Sequence, residues 1–342
     1  MPLYYFGEDS FHCVTNCGNQ KDLLRPFQIA SPEADFQMTW DHIVFKKVTN
    51  SWFIKGFGIA PDFELFPSEL DVSTLCLTDS TVLGLCSADG SLYTSAITVS
   101  STNNGTKTCS KPSRINSNCN KITQIVSSLK DFYCVDDINN VYKVVDYKLI
   151  KLFNAEGIVI RKIACGYSHF VILSDTGALY SFGNGSRGQL GCEDRVVLCD
   201  VTYPERILFF DDLPSVVTDV VCGGWHTLAL TSDGDVYSWG WNENGGLGHA
   251  KNTEGTVVAT PFPIDIGSAQ DPVISIAAGS RHSLLLLKSG KIFSFGYNKY
   301  GQLGLGDNID RAEPCEIVYD LIGTACSIMC TKWGSFVRTR TD

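Results

Sequence analysis

The chain has 342 residues, enough for two ordinary domains or for one large closed β architecture. Its hydrophobic content of 44% allows a sizeable core, and its 31 glycines suit many tight turns. The formal net charge of −10 argues against a general nucleic-acid binder, because binding to the nucleic-acid backbone needs clustered Lys and Arg. Neither a secretory signal nor an apolar membrane-spanning run is visible, so we expect the 14 cysteines to lie in a reducing compartment.

The first half of the chain contains three irregular segments that each indicate a β meander, over residues 43–71, 72–121 and 122–159. In each segment short apolar runs are separated by turn signals, such as Asp89-Gly90 and Asn139-Asn140. Within the second segment, residues 98–121 are rich in Ser, Thr, Asn, Lys and Cys. We predict an exposed insertion there, which is either a loop without a role or a basic docking segment.

The second half carries a regular repeat over residues 160–217, 218–273 and 274–325. Its copies align on three histidines that are 57 and 56 residues apart: His169, His226 and His282. A second set of aligned positions holds glycine at the end of an alternating β run: Gly183, Gly240 and Gly296. A fixed long period predicts one supersecondary unit used repeatedly, and its Asp-Gly hairpin signals predict that this unit is all β.

These residues resemble the repeat of the regulator of chromosome condensation family, and the resemblance implies the blades of a seven-bladed propeller. We therefore predict an all-β fold, with a single domain over residues 1–342. The last blade should combine residues 326–342 with residues 1–7, so that Leu3 to Gly7 pair with the segment around Phe336. This closure has a physical motive, because an open ring would leave unpaired strand edges at both ends.

No motif for chemistry is visible in the chain. Equivalent residues of different blades cannot easily converge on one ion, so we predict structural roles for His169, His226 and His282, as well as for the aligned glycines. The Gly-rich stretches lie in β-turn contexts without a following helix, and they carry no phosphate-loop or dinucleotide signal. We expect no catalytic residue, no metal and no cofactor, and the chain is predicted not to be an enzyme.

Loops that follow equivalent strands of a propeller open on the same rim, and aromatic and arginine side chains there are typical of interaction surfaces. The predicted partner-binding residues are Trp241, Asn242, Tyr297, Lys299, Tyr300 and Arg187. The alternative is that Trp241 and Tyr297 fill gaps between blades.

Within the family, the resemblance is strongest to a small member that partners a JmjC-domain oxygenase. It implies a monomeric, non-catalytic scaffold that supports a histone demethylase or hydroxylase in histone methylation and chromosome segregation. The implied location is the nucleus, with the cytoplasm as an alternative. Contacts with chromatin or histones are compatible with the negative charge, and iron and 2-oxoglutarate would belong to the partner. The alternatives are a nucleotide-exchange factor for a Ran-like small GTPase and a scaffold in ubiquitin ligation or trafficking.

Overall fold

A computed structural model describes residues 3–7, 27–29, 36–38, 42–46, 51–56, 63–86, 88–99, 107–115, 119–192, 200–249, 256–318 and 323–340. Its regular elements are β-strands and short 3-10 turns. In chain order the strands are β1 Leu3–Gly7, β2 Phe27–Ile29, β3 Phe36–Met38, β4 His42–Lys46, β5 Trp52–Gly56, β6 Phe63–Phe66, β7 Val72–Leu77, β8 Thr81–Cys86, β9 Leu92–Val99, β10 Lys107–Cys109, β11 Ser113–Arg114, β12 Ile122–Ser127, β13 Phe132–Asp136, β14 Asn140–Val145, β15 Lys148–Asn154, β16 Ile160–Cys165, β17 His169–Ser174, β18 Leu179–Asn184, β19 Asp200–Arg206, β20 Val217–Cys222, β21 His226–Thr231, β22 Val236–Trp241, β23 Val257–Ile264, β24 Val273–Ala278, β25 His282–Leu287, β26 Ile292–Gly296, β27 Arg311–Glu316, β28 Thr324–Cys330 and β29 Gly334–Arg340.

These strands form seven antiparallel sheets in the described part of the chain. Six sheets use strands that follow one another in sequence: β3–β6, β7–β11, β12–β15, β16–β19, β20–β23 and β24–β27. The seventh joins the two ends of the chain in the order β2-β1-β29-β28. Repeated four-stranded meanders are the blades of a propeller, so the prediction of an all-β propeller is confirmed.

The sheets divide between two compact units. The first unit comprises Met1–Glu8, Asn19–Pro32 and Ile160–Asp342, and it holds four of the sheets. The second unit comprises Asp9–Gly18 and Glu33–Val159, and it holds the other three. The organisation of residues 1–342 as one domain with a seven-bladed ring stays a prediction.

In the first unit, β1 completes the sheet of the C-terminal strands, as the sequence predicts. Leu3 is paired with Arg338, Tyr5 with Phe336 and Gly7 with Gly334 in an antiparallel register. One further strand was missed, because β2 adds to the outer edge of β1 through pairs such as Tyr4 with Gln28. This sheet therefore takes two strands from each end of the chain, not one from the N-terminal end.

The core of the first unit lies on both faces of the second strand of each repeat. Every residue of β17, β21 and β25 is buried, because these strands are covered by the neighbouring sheets as well as by their own. Trp239 is fully buried and packs in one cluster with Val171 and Val220. Phe6 of β1 is also fully buried, in a cluster with Leu284 and Val337. Burial of such side chains stabilises the fold by about 1.5–3 kcal/mol each.

In the second unit, the observed sheets correct one predicted boundary and refine another prediction. The first sheet begins at Phe36, ahead of the predicted start at residue 43. The insertion predicted over residues 98–121 contains two short strands, since β10 and β11 both pair with β9, and most of the described side chains from Thr108 to Arg114 are exposed. Ile115 is only 1% exposed and packs with Leu83 and Phe132, so this polar segment delivers a core residue. Residues 100–106 and 116–118 lie outside the described residues.

Candidate protein-interaction site

In two of the predicted rim loops of the first unit, an asparagine side chain accepts a hydrogen bond from the backbone of its own loop. The carbonyl oxygen of the Asn242 side chain accepts a hydrogen bond from Leu247 N at 3.2 Å, and the Asn298 side chain does the same for Leu303 N at 3.0 Å. Asn298 is fully buried. The geometry thus gives Asn242 a contact within its own loop, although the sequence suggested a contact with a partner.

Arginine and tryptophan side chains meet across three consecutive sheets of the first unit. The guanidinium carbon of Arg187 lies 4.0 Å from the ring centre of Trp241 and 4.8 Å from that of Trp225. The guanidinium carbon of Arg281, which belongs to the next repeat, lies 4.8 Å from the ring centre of Trp241. Cation–π contacts of this kind contribute about 0.5–1 kcal/mol each at exposed sites. We call Arg187, Trp225, Trp241 and Arg281 the arginine–tryptophan surface.

Each of these four side chains is half-buried, so each supports the fold and still faces solvent. Arg281 is partly neutralised, because its Nη1 atom lies 3.8 Å from a carboxylate oxygen of Glu243 and donates to the Asn244 side chain at 3.3 Å. Arg187 has no such carboxylate among the described residues. Its guanidinium, stacked on Trp241, therefore carries a positive charge that no described carboxylate compensates.

A second aromatic group lies in the loop of the next repeat. The rings of Tyr297, Tyr300 and Trp333 contact one another with centre-to-centre distances of 5.8–6.0 Å. Trp333 lies in the turn between β28 and β29, in the sheet that contains strands from both chain ends. Its contacts with the two tyrosines therefore join two sheets. Lys299 is exposed beside them. The structure thus brings Arg187 together with Trp241, and Tyr297 together with Trp333, in contacts between two sheets, while Tyr300 lies in the same loop as Tyr297.

The repeat histidines form a chain of hydrogen bonds from sheet to sheet. Their Nε2 atoms lie 3.0–3.1 Å from a hydroxyl oxygen of the next repeat, in the pairs His169 with Thr227, His226 with Ser283, and His282 with Ser335. Each hydroxyl in turn donates to a backbone carbonyl of the preceding loop, on Gln189, Gly246 and Gln302 respectively. Because the hydroxyl proton is used in this way, the hydroxyl oxygen accepts from the histidine, which places the ring proton on Nε2.

Burial keeps these imidazoles neutral. Removal from water lowers the pKa of His169 to about 3, of His226 to about 4 and of His282 to about 3. The Nδ1 atoms of His169 and His282 have no hydrogen-bond partner, so a second ring proton would be a buried donor without an acceptor. This environment suits a structural residue, whereas a general base needs a pKa near the working pH.

Two sets of glycines permit this packing. A side chain at Gly183, Gly240 or Gly296 would collide with the carbonyl oxygen before the repeat histidine, and each of these glycines has a positive φ of 98–112°. A side chain at Gly223 would meet Nδ1 of His226 at 2.5 Å and a carbonyl oxygen of the next repeat at 2.6 Å. The aligned glycines therefore keep the ring and the neighbouring sheet in contact.

The described residues offer little for covalent or metal chemistry. Burial raises the pKa of the Cys222 and Cys330 thiols to about 12, so neither is an activated nucleophile. Within the described ranges, no three or more His, Cys, Asp or Glu side chains gather as a metal site would require. None of the helical segments described is long and apolar enough to cross a membrane.

Sequence reasoning missed Trp225, Arg281 and Trp333 as members of the rim. All three precede the first residue of a strand that carries or replaces the repeat histidine. This position holds Ser168, Trp225, Arg281 and Trp333 in successive copies, so the signal in the sequence is a variable position next to one that is histidine in three of the four copies.

Comparison with known proteins agrees with this architecture. Regulator of chromosome condensation (RCC1) repeat models match residues 176–230, 233–286 and 289–330, and a second model of the same repeat matches residues 160–189, 217–245 and 273–302. Prp20p from Saccharomyces cerevisiae, described with its binding properties to Gsp1p and histones, has the same fold, with a TM-score of 0.82 over 98% of this chain and 90% of that one at 19% identity.

Two curated relatives match about half of the chain. The Ultraviolet-B receptor UVR8 of Arabidopsis thaliana is 37% identical over 154 residues, which are 44% of this chain and 32% of the receptor. Human RCC1 domain-containing protein 1 is 28% identical over 214 residues, which are 52% of this chain and 55% of that protein. The matches thus span about half or less of these relatives. The second half of this chain belongs to the regulator of chromosome condensation repeat family.

Proposed function

We propose that this chain is a non-catalytic propeller scaffold that binds a JmjC-domain histone demethylase or hydroxylase and supports its role on chromatin in the nucleus. The observation that carries the binding role is the arginine–tryptophan surface, in which Trp241 lies between Arg187 and Arg281. The choice of partner rests on the resemblance of the repeats to a small family member that partners a JmjC-domain oxygenase.

The chemistry of the surface favours an acidic segment of the partner. A guanidinium that is stacked on a ring has lost much of its conformational freedom before binding, so less entropy is lost when a carboxylate arrives. Trp and Arg are also the residue types most enriched among residues that dominate binding energy. Glu243 beside Arg281 would disfavour an acidic group there, so we place the main carboxylate contact at Arg187.

The chain itself supplies binding and no reaction step. Its repeat histidines are buried and hydrogen-bonded to the next sheet, and they do not reach the rim as an acid or a base. Iron and 2-oxoglutarate would be bound by the oxygenase, and the propeller would hold that enzyme near its chromatin substrate.

Co-expression with a JmjC-domain oxygenase tests the proposal. We expect a complex in size-exclusion chromatography, with a dissociation constant weakened at least about tenfold by Arg187→Ala with Trp241→Ala. The matched control is Arg340→Ala with Phe262→Ala, which removes an exposed arginine and an exposed aromatic ring elsewhere in the first unit. An unchanged affinity in the rim variant contradicts the surface, and absence of any complex contradicts the partner.

Trp241 also contacts the neighbouring sheets, so its replacement can destabilise the fold. A loss of binding therefore supports the proposal only if the melting temperature of the variant equals that of the parent chain. Arg187→Glu serves as the second variant, because it reverses the charge and leaves both rings in place. Acceleration of nucleotide release from a Ran-like GTPase at stoichiometric concentration would instead favour the exchange-factor alternative, and we expect none.

A further inference from the structure

The outer hairpin of the third sheet of the second unit, formed by β14 and β15, exposes four large apolar side chains. Ile150 and Leu152 of β15 are 48% and 44% exposed, Val145 at the end of β14 is 39% exposed, and Tyr147 in the turn between the two strands is 57% exposed. Among their described residues, the corresponding hairpins of the first unit expose fewer, one large apolar side chain in β18–β19 and two in β22–β23. Contiguous exposed apolar groups mark sites of interaction more often than single ones do.

The backbone of β15 is also available for pairing. The sheet runs in the order β12-β13-β14-β15, so one edge of β15 has no neighbouring strand among the described residues. The unpaired N–H and C=O groups of an edge strand are a template for another extended segment. A register shift where β15 pairs with β14, near Val141, leaves Leu152 without a residue opposite and turns it toward solvent.

The charges on β15 indicate which kind of segment can pair with its open edge. Lys148 and Lys151 are exposed on β15 and form no ion pair with a described residue, whereas Lys143 on the inner strand is neutralised by Asp131 at 2.9 Å. A second copy of the chain pairing antiparallel about the middle of β15 would bring the Lys151 side chains of the two copies directly opposite each other, and like charges directly opposite are destabilising. A segment that carries carboxylates between apolar side chains has the complementary pattern.

We propose that β15 is a docking edge for an extended acidic and apolar segment of a partner protein, which adds to the sheet as a further strand. Main-chain hydrogen bonds to the edge provide affinity, while Ile150, Leu152 and the two lysines provide selectivity. This edge lies in the second unit and is independent of the arginine–tryptophan surface of the first.

Selection of displayed random short peptides against the full chain tests the proposal. We expect enriched peptides in which acidic residues alternate with Val, Ile or aromatic residues, and slower amide hydrogen exchange in β15 when such a peptide is bound. Ile150→Glu with Leu152→Glu should weaken the dissociation constant of the synthesised peptide at least about tenfold, and so should Lys148→Glu with Lys151→Glu.

The matched control is Ile309→Glu, which changes a 61% exposed apolar residue of the first unit and should leave peptide affinity within about twofold. All substituted side chains are exposed, so the melting temperatures should not change, and the lysine variant tests the charge without altering the apolar residues. Failure to enrich any peptide, enrichment of basic peptides, or equal affinity for both β15 variants and the control would overturn the proposal. A dimer that Ile150→Glu dissociates would overturn it in favour of a second copy.

Discussion

The Nε2 atom of His226 lies 3.0 Å from the Oγ atom of Ser283, and this hydrogen bond joins two successive sheets of the first unit. The Ser283 hydroxyl donates a hydrogen bond to the carbonyl oxygen of Gly246 at 2.9 Å, so one hydroxyl group holds a strand, a loop and the next strand together. The same relay recurs from His169 to Thr227 and from His282 to Ser335. The repeat in the sequence is therefore a repeat of contacts between sheets.

Ser283→Ala should lower the free energy of unfolding by about 2 kcal/mol, because it leaves the His226 N–H and the Gly246 carbonyl buried without partners. Urea denaturation measures this loss. Ser327→Ala, at an exposed position of β28, is the control and should change the free energy of unfolding by less than about 0.5 kcal/mol. Equal effects of the two substitutions would show that the relay does not stabilise the protein.

Stability should fall as the pH drops from about 6.5 toward 4. Burial lowers the pKa of His169, His226, His282 and His249 from 6.5 to about 3–4, so the unfolded state binds more protons in this window and acid favours unfolding. Above pH 6.5 this contribution is fully present. Each histidine accounts for about 1.4 kcal/mol per pH unit within the window.

Denaturation midpoints measured between pH 5 and pH 6.5 give the slope of the free energy of unfolding against pH. Most carboxyl groups have pKa values below this range, so they contribute little to that slope. His226→Gln should be less stable at neutral pH and should show a shallower slope, because one titrating group is gone. A slope that is the same in the variant and the parent chain would be incompatible with a depressed pKa at His226.

Gly240→Ala should destabilise the first unit by more than about 1 kcal/mol. Gly240 has a φ of 112°, and an added Cβ would lie 2.5 Å from the carbonyl oxygen of Trp225. Gly157→Ala is the matched control, since Gly157 has a φ of 75° and no atom within 4 Å of an added Cβ. The difference between the two variants in thermal melts measures the steric cost, and no difference would argue against the tight packing.

Phe6→Ala should cost about 3–5 kcal/mol, because Phe6 is fully buried in the cluster that includes Leu284 and Val337. Phe262→Ala removes the same side chain from a position that is 48% exposed, and it should cost much less. Guanidinium denaturation compares the two. A mild effect of Phe6→Ala would mean that the N-terminal strand contributes little to the stability of the closing sheet.

The sequence by itself determined the repeat, its strands and the joining of the chain ends. These features follow from local rules: apolar residues alternate where a strand has a buried face, and glycine stands where φ is positive, as at Gly183, Gly240 and Gly296. The pairing of Leu3–Gly7 with the last strand could be predicted because an unpaired edge is unfavourable and because this strand resembles its equivalent in the repeats.

The tertiary structure decided what depends on neighbours distant in sequence. The polar residues 107–115 become strands only because the edge of β9 accepts them, and Ile115 is buried by side chains from other strands. The stacking of Arg187 on Trp241 requires loops of two different sheets to meet, which no local pattern specifies. Local spacing sets which face of a strand a residue occupies, and the packing of sheets alone sets which side chains of different repeats touch.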